Sequence, residues 1–477
     1  MQPLLILIPF ITILLLNILR PEIARRAAFR VALVISVLQM IAVFFLHRSF
    51  ATMYSGPLLS VLQFNITTDY LSALMLFSIA LILFVALIVA GQVIKGRQEL
   101  FNFVNLSLIA LAGMNGTVMS HDIFSLYVFI EVTSVTSFIM IVFNQNIRAF
   151  EGAFKYIMLS ALATIFMLTA IALVVILTGD TDFTVIKAAL SGPVNSGILK
   201  SAIVIFLSGF FIKAGLIPFH GWLPDAYVSA PSPVSVLLAG IITKTVGVYT
   251  LIRVVTGVFG FSPVINNTLL FIGAFSVVLA AIAALNQRDF KRMLAYSSIS
   301  QVGYIILGVG AGTPLGIAGA AFHLFNHAIF KSLLFVNSSA VEEQTGSRSM
   351  DNLYGIAQKM PLTATTSVVA SLSAAGVPPL AGFWSKIMII VALWMSGHYG
   401  FCLVAIFTGI LTLAYFLSLQ RNIFSGKLPD SLKNIKEVGF VFAIPEVLLA
   451  AIIIGCGIFY PWILKSLILP LGAALGG

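Results

Sequence analysis

Apolar runs of about 20 residues recur along almost the whole of this 477-residue chain, and that is the length an α-helix needs to cross about 30 Å of hydrocarbon. Hydrophobic residues make up 60% of the chain and charged residues 9%, whereas soluble domains carry about 25% charged residues. The chain therefore reads as an all-α polytopic membrane protein with about 14 transmembrane helices. The runs fall near 2–19, 28–46, 70–92, 101–119, 122–143, 155–178, 200–217, 233–253, 267–285, 293–310, 316–338, 361–394 (interrupted), 400–420 and 440–464.

Charge sets the expected orientation. The first run has no basic residue before it and Arg20, Arg25, Arg26 and Arg30 after it, so it reads as a retained span rather than a cleaved signal, with the N-terminus outward. Alternating from there, the inner loops hold those arginines together with Lys95, Arg97, Arg148, Lys155, Arg288, Lys291, Arg292, Arg348, Lys359, Arg421, Lys427, Lys433 and Lys436. The outer side holds only Arg48, Lys187, Lys200, Arg253 and Lys465. Such an excess is the positive-inside pattern of a cell inner membrane, and it leaves both termini outside. The net charge of +10 belongs to these loops, so nucleic acid is excluded as a partner. Cys402 and Cys456 stand apart in hydrophobic runs, so no zinc, haem or iron–sulfur site can be built from this chain alone. Any iron–sulfur cluster or other redox centre belongs to a partner.

One stretch interrupts the pattern. AGLIPFHGWLPDAYVSAPSPVS, from Ala214 to Ser235, packs Pro218, His220, Trp222, Pro224, Asp225, Pro231 and Pro233 into a membrane segment. Proline removes a backbone donor and breaks a helix, and bare backbone is tolerated at membrane depth only where water or protein satisfies it. AGLIPFHGW is echoed by AGVPPLAGF at 375–383, which carries Pro378 and Pro379. Paired broken helices point to a chain built from two repeats, spanning 100–258 (helices 4–8) and 259–422 (helices 9–13). Helices 1–3 precede them in 1–99, and helix 14 follows in 423–477.

Four lysines remain inside predicted spans: Lys213 just before the first break, Lys386 just after the second, Lys244 and Lys331. Glu131 lies roughly 12 Å into its span, and Lys244 lies near the midplane. Charge at that depth is expensive and marks function by default, although structural ion pairs and snorkelling are the plainer alternatives. His323, His327 and Lys331 follow at i, i+4 and i+8 on one helical stripe. The stripe suits a proton relay, with polar packing or a metal site as alternatives, but the glutamate of the H-E-x-x-H zinc pattern is missing. LGVGAGTPLG at 307–316 reads as a flexible outer loop rather than a phosphate loop, and Asn105 as a chance glycosylation match.

The run from Lys213 to Lys244, together with KRMLAYSSISQVGYIILG (291–308), HAIFKSLLF (327–335) and GVPPLAGFWSK (376–386), resembles the antiporter-like subunits shared by respiratory complex I, membrane-bound hydrogenases and Mrp cation/proton antiporters. The likeness is to the short core type, similar to the D-type member of the Mrp set. It implies a 14-helix core in which the two repeats are inverted, discontinuous seventh and twelfth helices, and a central polar axis. It also implies a fifth-helix glutamate at Glu131 paired with a seventh-helix lysine at Lys213, an eighth-helix lysine at Lys244 and a terminal charge at Lys386. Gln301 departs from relatives that carry histidine there, which shifts weight to His323 and His327.

The implied function is proton translocation, with Na+ as a second candidate ion, inside a redox-driven pump such as an NADH dehydrogenase or a membrane-bound hydrogenase. A stand-alone Mrp-type antiporter subunit is the alternative, and the implied partners are other membrane subunits, further antiporter-like ones included. No cofactor and no covalent chemistry are expected in this chain. At ~7 Å and an effective dielectric near 20, Glu131 would act on Lys213 with roughly 2.4 kcal/mol, enough to switch its proton. Outside the family, an independent solute transporter or a scaffold remains, though a scaffold leaves four buried lysines without a purpose.

Overall fold

The computed structural model describes residues 2–46, 65–193 and 195–476; Arg48 lies outside them. Among the described residues, 12 helices are long and apolar enough to cross a membrane. With the shorter apolar helices they form a bundle: α1 (Leu4–Ile18), α2 (Pro21–Leu46), α3 (Tyr70–Val93), α4 (Arg97–Met119), α5 (Ile123–Ile141), α6 (Ile147–Thr178), α7 (Ser196–Ala214, resuming as Trp222–Ser229), α8 (Ser232–Phe259), α9 (Pro263–Leu285), α10 (Phe290–Gly310), α11 (Pro314–Thr345), α12 (Pro361–Ala375, resuming as Ala381–Met395), α13 (Tyr399–Phe424) and α14 (Phe440–Ile458). The chain is an all-α integral membrane protein with two inverted repeats and two discontinuous helices.

The last predicted run, 440–464, is not one span. Phe459 and Pro461 end α14, because a proline ring cannot continue a helix against the preceding carbonyls, and α15 (Tyr460–Gly476) carries on towards the start of α11. It reaches α11, where Gly472 lies so near Pro314 that an added Cβ would stand 2.6 Å from its carbonyl oxygen.

The two halves share one plan. Aspartates cap α5 and α10 through their first-turn amides, Asp122 to Ser125 and Asp289 to Arg292, which satisfies donors every helix start leaves open. Asp122 forms a β-bridge with Asp182, and Asp289 with Ser349. Helices α6 and α11 both run 32 residues and both end on a left-handed glycine, Gly179 and Gly346. The breaks follow, each opened by another left-handed glycine, Gly215 and Gly376, a conformation that only glycine adopts cheaply.

Burial sorts the helices. Every residue in the core window of α8 and α11 is buried, and nearly all of those of α3 and α10 are. Helices α2, α6, α13 and α14 instead expose large apolar side chains such as Phe44, Phe154, Phe407 and Phe440, as a lipid-facing rim does. Charges gather at one end, where Asp225 of α7 accepts hydrogen bonds from Lys155 and Arg292, both at 2.7 Å. There Lys291 pairs with Glu342 at 2.6 Å. Lys155 and Lys291 are thus helix residues held by carboxylates rather than free loop charges. At the opposite end Arg253 is likewise no loop charge: it grips Asp69 through both terminal nitrogens, at 2.5 and 2.8 Å. The glycines of 307–316 are not a flexible loop either. Gly308 and Gly310 lie in α10, where an added Cβ would meet Gly316 and Leu270 backbone at 3.0 Å, so their smallness permits close helix approach.

Candidate functional site

Both breaks are stitched by side chains that replace the lost helical hydrogen bonds. Ser276 of α9 accepts from the Ile217 amide at 3.1 Å, and Ser373 accepts from the Gly382 amide at 3.2 Å. Trp222 donates its indole N–H to Ile212 across the first gap at 3.0 Å, and Trp384 donates to Gly457 of α14 at 3.0 Å beside the second. The peptides before Pro218 and Pro379 are cis. Pro218, Pro378 and Pro379 are all exposed. Pro224 is buried in the second half of α7, and Pro231 and Pro233 are buried where α8 starts. His220 sits in the break with Nδ1 unpartnered, its ring 6.2 Å from Tyr296. Asp225 stands apart from it, in the charge cluster already described.

Lys213 ends the first half of α7 and is 4% exposed. Its ammonium donates to Glu131 at 2.9 Å, to Ser134 Oγ at 2.9 Å and to Ser160 Oγ at 2.8 Å, so all three protons are used. Thr164 donates to the same Glu131 oxygen at 2.8 Å. The pair is in direct contact, not at the ~7 Å expected, and the hydroxyls of α5 and α6 are the reason such a charge is tolerated. Ser134, Ser160 and Thr164 went unseen in the sequence because a serine or threonine in an apolar helix usually bonds only its own backbone.

Beyond α7, α8 departs from α-helical winding. It is π-wound over Leu238–Ile242, Lys244–Tyr249 and Val255–Phe259, a form that appears mostly as single-turn bulges at functional sites. Lys244 is 1% exposed and reaches back to the Ala239 carbonyl. Gly247 makes room for the first break, since a Cβ there would lie 2.5 Å from Ala214 Cα.

Helix α11 carries the central stripe. His323, His327 and Lys331 are all fully buried, with the two imidazole rings 6.4 Å apart and nearly parallel. Among the described residues neither ring nitrogen of His327 has a hydrogen-bond partner, and the charges of Lys244, Lys331 and Lys386 all act on it. Lys331 donates to Ser297 Oγ and to the Leu294 carbonyl of α10. His323 bonds Ser385 of α12 at 2.9 Å through Nδ1 and Gln301 Oε1 at 3.2 Å through Nε2. Gln301 in turn donates to Tyr415 OH at 3.3 Å, so the tenth helix contributes an orienting amide at this position. Lys386 lies at the second break, 4.3 Å from the Tyr304 ring centroid and 3.5 Å from the Ala375 carbonyl.

The structure therefore places the ionisable residues singled out for the relay on neighbouring elements of the bundle interior: Lys213 with the partly exposed Glu131 at the first break, Lys244 on α8, Lys331, His327 and His323 on α11, and Lys386 at the second break. Such a row of titratable groups, linked by hydroxyls and an amide, can pass protons by small rearrangements without covalent chemistry. Glu446 of α14 was missed. It is fully buried, and its only sequence signal was a lone carboxylate inside IPEVLLAAIII.

A family model described as NADH:quinone oxidoreductase/Mrp antiporter, TM, matches residues 120–412. The NADH-quinone oxidoreductase subunit N of Desulforudis audaxviator is 36% identical over 72% of this chain and 70% of its own length. A Na(+)/H(+) antiporter subunit of Alkalihalophilus pseudofirmus, of the D type, is 32% identical over 82% of this chain and 80% of its own. Among solved structures, a chain of the Mrp complex from Dietzia sp. DQ12-45-1b has the same fold, with a TM-score of 0.90, 23% identity, and coverage of 100% of this chain and 97% of that one.

Proposed function

Because the chain belongs to the NADH:quinone oxidoreductase/Mrp antiporter membrane family, we propose that it is a proton-translocating subunit of a redox-driven ion pump in a cell inner membrane. The observation that supports this reading is the Glu131–Lys213 pair at one break together with the buried Lys244, His323, His327, Lys331 and Lys386. Lysines without a carboxylate beside them are not kept at such depth for stability. In the cycle, Glu131 holds the proton on Lys213 at 2.9 Å. Loss or displacement of that carboxylate charge removes the attraction, and the proton passes to Lys244 and then along α11 to Lys386. Net movement requires only that the two breaks open to water in turn.

The chain works beside other membrane subunits, further antiporter-like ones among them, and any iron–sulfur or other redox centre sits in those partners. Glu131 supports this: its side chain is 26% exposed on a face that bare lipid would cover, and a carboxylate at that depth needs a polar neighbour. The charged end faces the cytoplasm and both termini face outward, by the positive-inside pattern.

A second reading, one member of a Mrp-type Na+/H+ antiporter, is favoured by the Alkalihalophilus pseudofirmus relative. In proteoliposomes of the intact complex, Lys213→Ala and Glu131→Ala are expected to abolish ion translocation while leaving the assembled complex on a native gel. Translocation at the parent rate in both variants rules the relay out.

A further inference from the structure

The second half of the relay lies near one more carboxylate. Glu446 is fully buried in α14, and among the described residues no cation lies within ion-pairing distance of it. Its partners are neutral: Asn337 of α11 donates to Oε1 at 3.0 Å, and Thr363 of α12 donates to Oε2 at 3.3 Å. A buried carboxyl group kept among neutral partners deep in a membrane helix marks a functional site rather than a structural one.

Thr363 also faces outward. Its hydroxyl lies 2.8 Å from Glu437 Oε1, while Glu437 Oε2 accepts the Leu362 amide at 2.7 Å and so caps α12. Glu437 is half-buried in the loop before α14, at the charged end, where the neighbouring Lys436 amide meets Gln344 at 3.4 Å. Two carboxyl groups thus share one hydroxyl, one of them at the surface and one sealed inside. On the inner side, Asn337 is six residues from Lys331 on α11, about 9 Å along the axis. The hydroxyls of Ser332, Ser338 and Ser339 and the amide oxygen of Asn337 are buried there without a protein partner, and buried polar groups of that kind are ordinarily hydrated.

We infer that Glu446, reached from Glu437 through Thr363, is a proton-loading site that feeds the relay at Lys331 from the charged end. In the loading step, protonated Glu437 gives its proton to Thr363 Oγ as Thr363 passes its own hydroxyl proton to the Glu446 carboxylate. Thr363 ends unchanged, Glu437 ends as the carboxylate and Glu446 as the acid. Asn337 holds Glu446 in place but cannot carry the proton, so the onward step runs over the serine hydroxyls and their water to Lys331. The inference rests on the proton-translocating reading above.

The test measures ion translocation by the intact complex in everted membrane vesicles with a pH-sensitive dye, driven by its electron donor or by added NaCl, whichever the parent complex uses. Glu446→Gln keeps the oxygen that accepts from Asn337 and removes the titrating group. It is expected to lower translocation at least fivefold with assembly unchanged, while Glu446→Asp retains a measurable part. Thr363→Val is expected to match the glutamine variant, and Thr363→Ser to restore more than half of the rate. Parent-level translocation in Glu446→Gln overturns the inference, provided Lys213→Ala abolishes it; if Lys213→Ala is itself active, the underlying reading falls instead. Should Glu446→Gln fail to assemble, equal rates for Thr363→Val and Thr363→Ser overturn the loading path.

Discussion

At the scale of single residues, the ends of the relay differ in how their charge is held. Lys213 spends its three protons on Glu131, Ser134 and Ser160, whereas Lys386 has an aromatic face and one carbonyl. A glutamate at position 386 still titrates, and in its acid form it can donate to a carbonyl. Lys386→Glu should keep a fraction of translocation that Lys386→Ala loses, and equal loss in both would count against a terminal loading role.

A structural pair gives a pH signature. Burial alone would raise the Asp69 pKa, but the charge and hydrogen bonds of Arg253, with those of Ser72, hold it well below its ordinary 3.8. A carboxylate lowered in the folded state stabilises fully above its unfolded value and progressively less as pH falls towards its folded one. Arg253→Gln should thus lower stability by about 1–3 kcal/mol at pH 7. In thermal melts in detergent that gap should narrow as pH drops below about 3.8; a gap unchanged from pH 7 to pH 3 would contradict the pairing.

At the scale of elements, α7 and α8 work as one unit. The break in α7 can lie against π-wound α8 only because position 247 has no side chain, with Ala214 backbone N and Cα both 2.5 Å from where a Cβ would stand. Backbone cannot swing aside as a flexible side chain can, so Gly247→Ala should cost about 1–3 kcal/mol and reduce translocation by displacing Lys213. Gly400→Ala, where nothing lies within 4 Å, is the matched control and should be neutral or slightly stabilising. Equal melting temperatures for the two variants would show that the approach is looser than the structure has it. The breaks themselves were legible in the sequence, since proline and glycine act on their own backbone. The π-winding of α8 was not, because no residue type encodes it; it arises where neighbouring groups compete for the same carbonyls, as Tyr227 and Thr243 do at Leu238.

At the scale of the whole molecule, the apolar rim of α2, α6, α13 and α14 suits lipid, and the partly exposed Glu131 is where the proposal above puts a neighbouring subunit. Affinity purification of the native complex through a tag on this chain is expected to bring down subunits bearing iron–sulfur or flavin centres. Recovery of small membrane subunits alone would decide for the antiporter reading. How the chain crosses the membrane followed from sequence, because hydrocarbon thickness and backbone hydrogen bonding act on one segment at a time. That Lys213, Lys244, Lys331 and Lys386 lie in apolar helices followed for the same reason. What those charges touch was decided only by tertiary structure. The direct Glu131–Lys213 contact, the Gln301 link between His323 and Tyr415, the carboxylates that hold Lys155 and Lys291, and the sealed Glu446 each depend on residues far apart in sequence. Which polar side chains meet across helices is set by how the helices pack, and no local pattern in the chain records it.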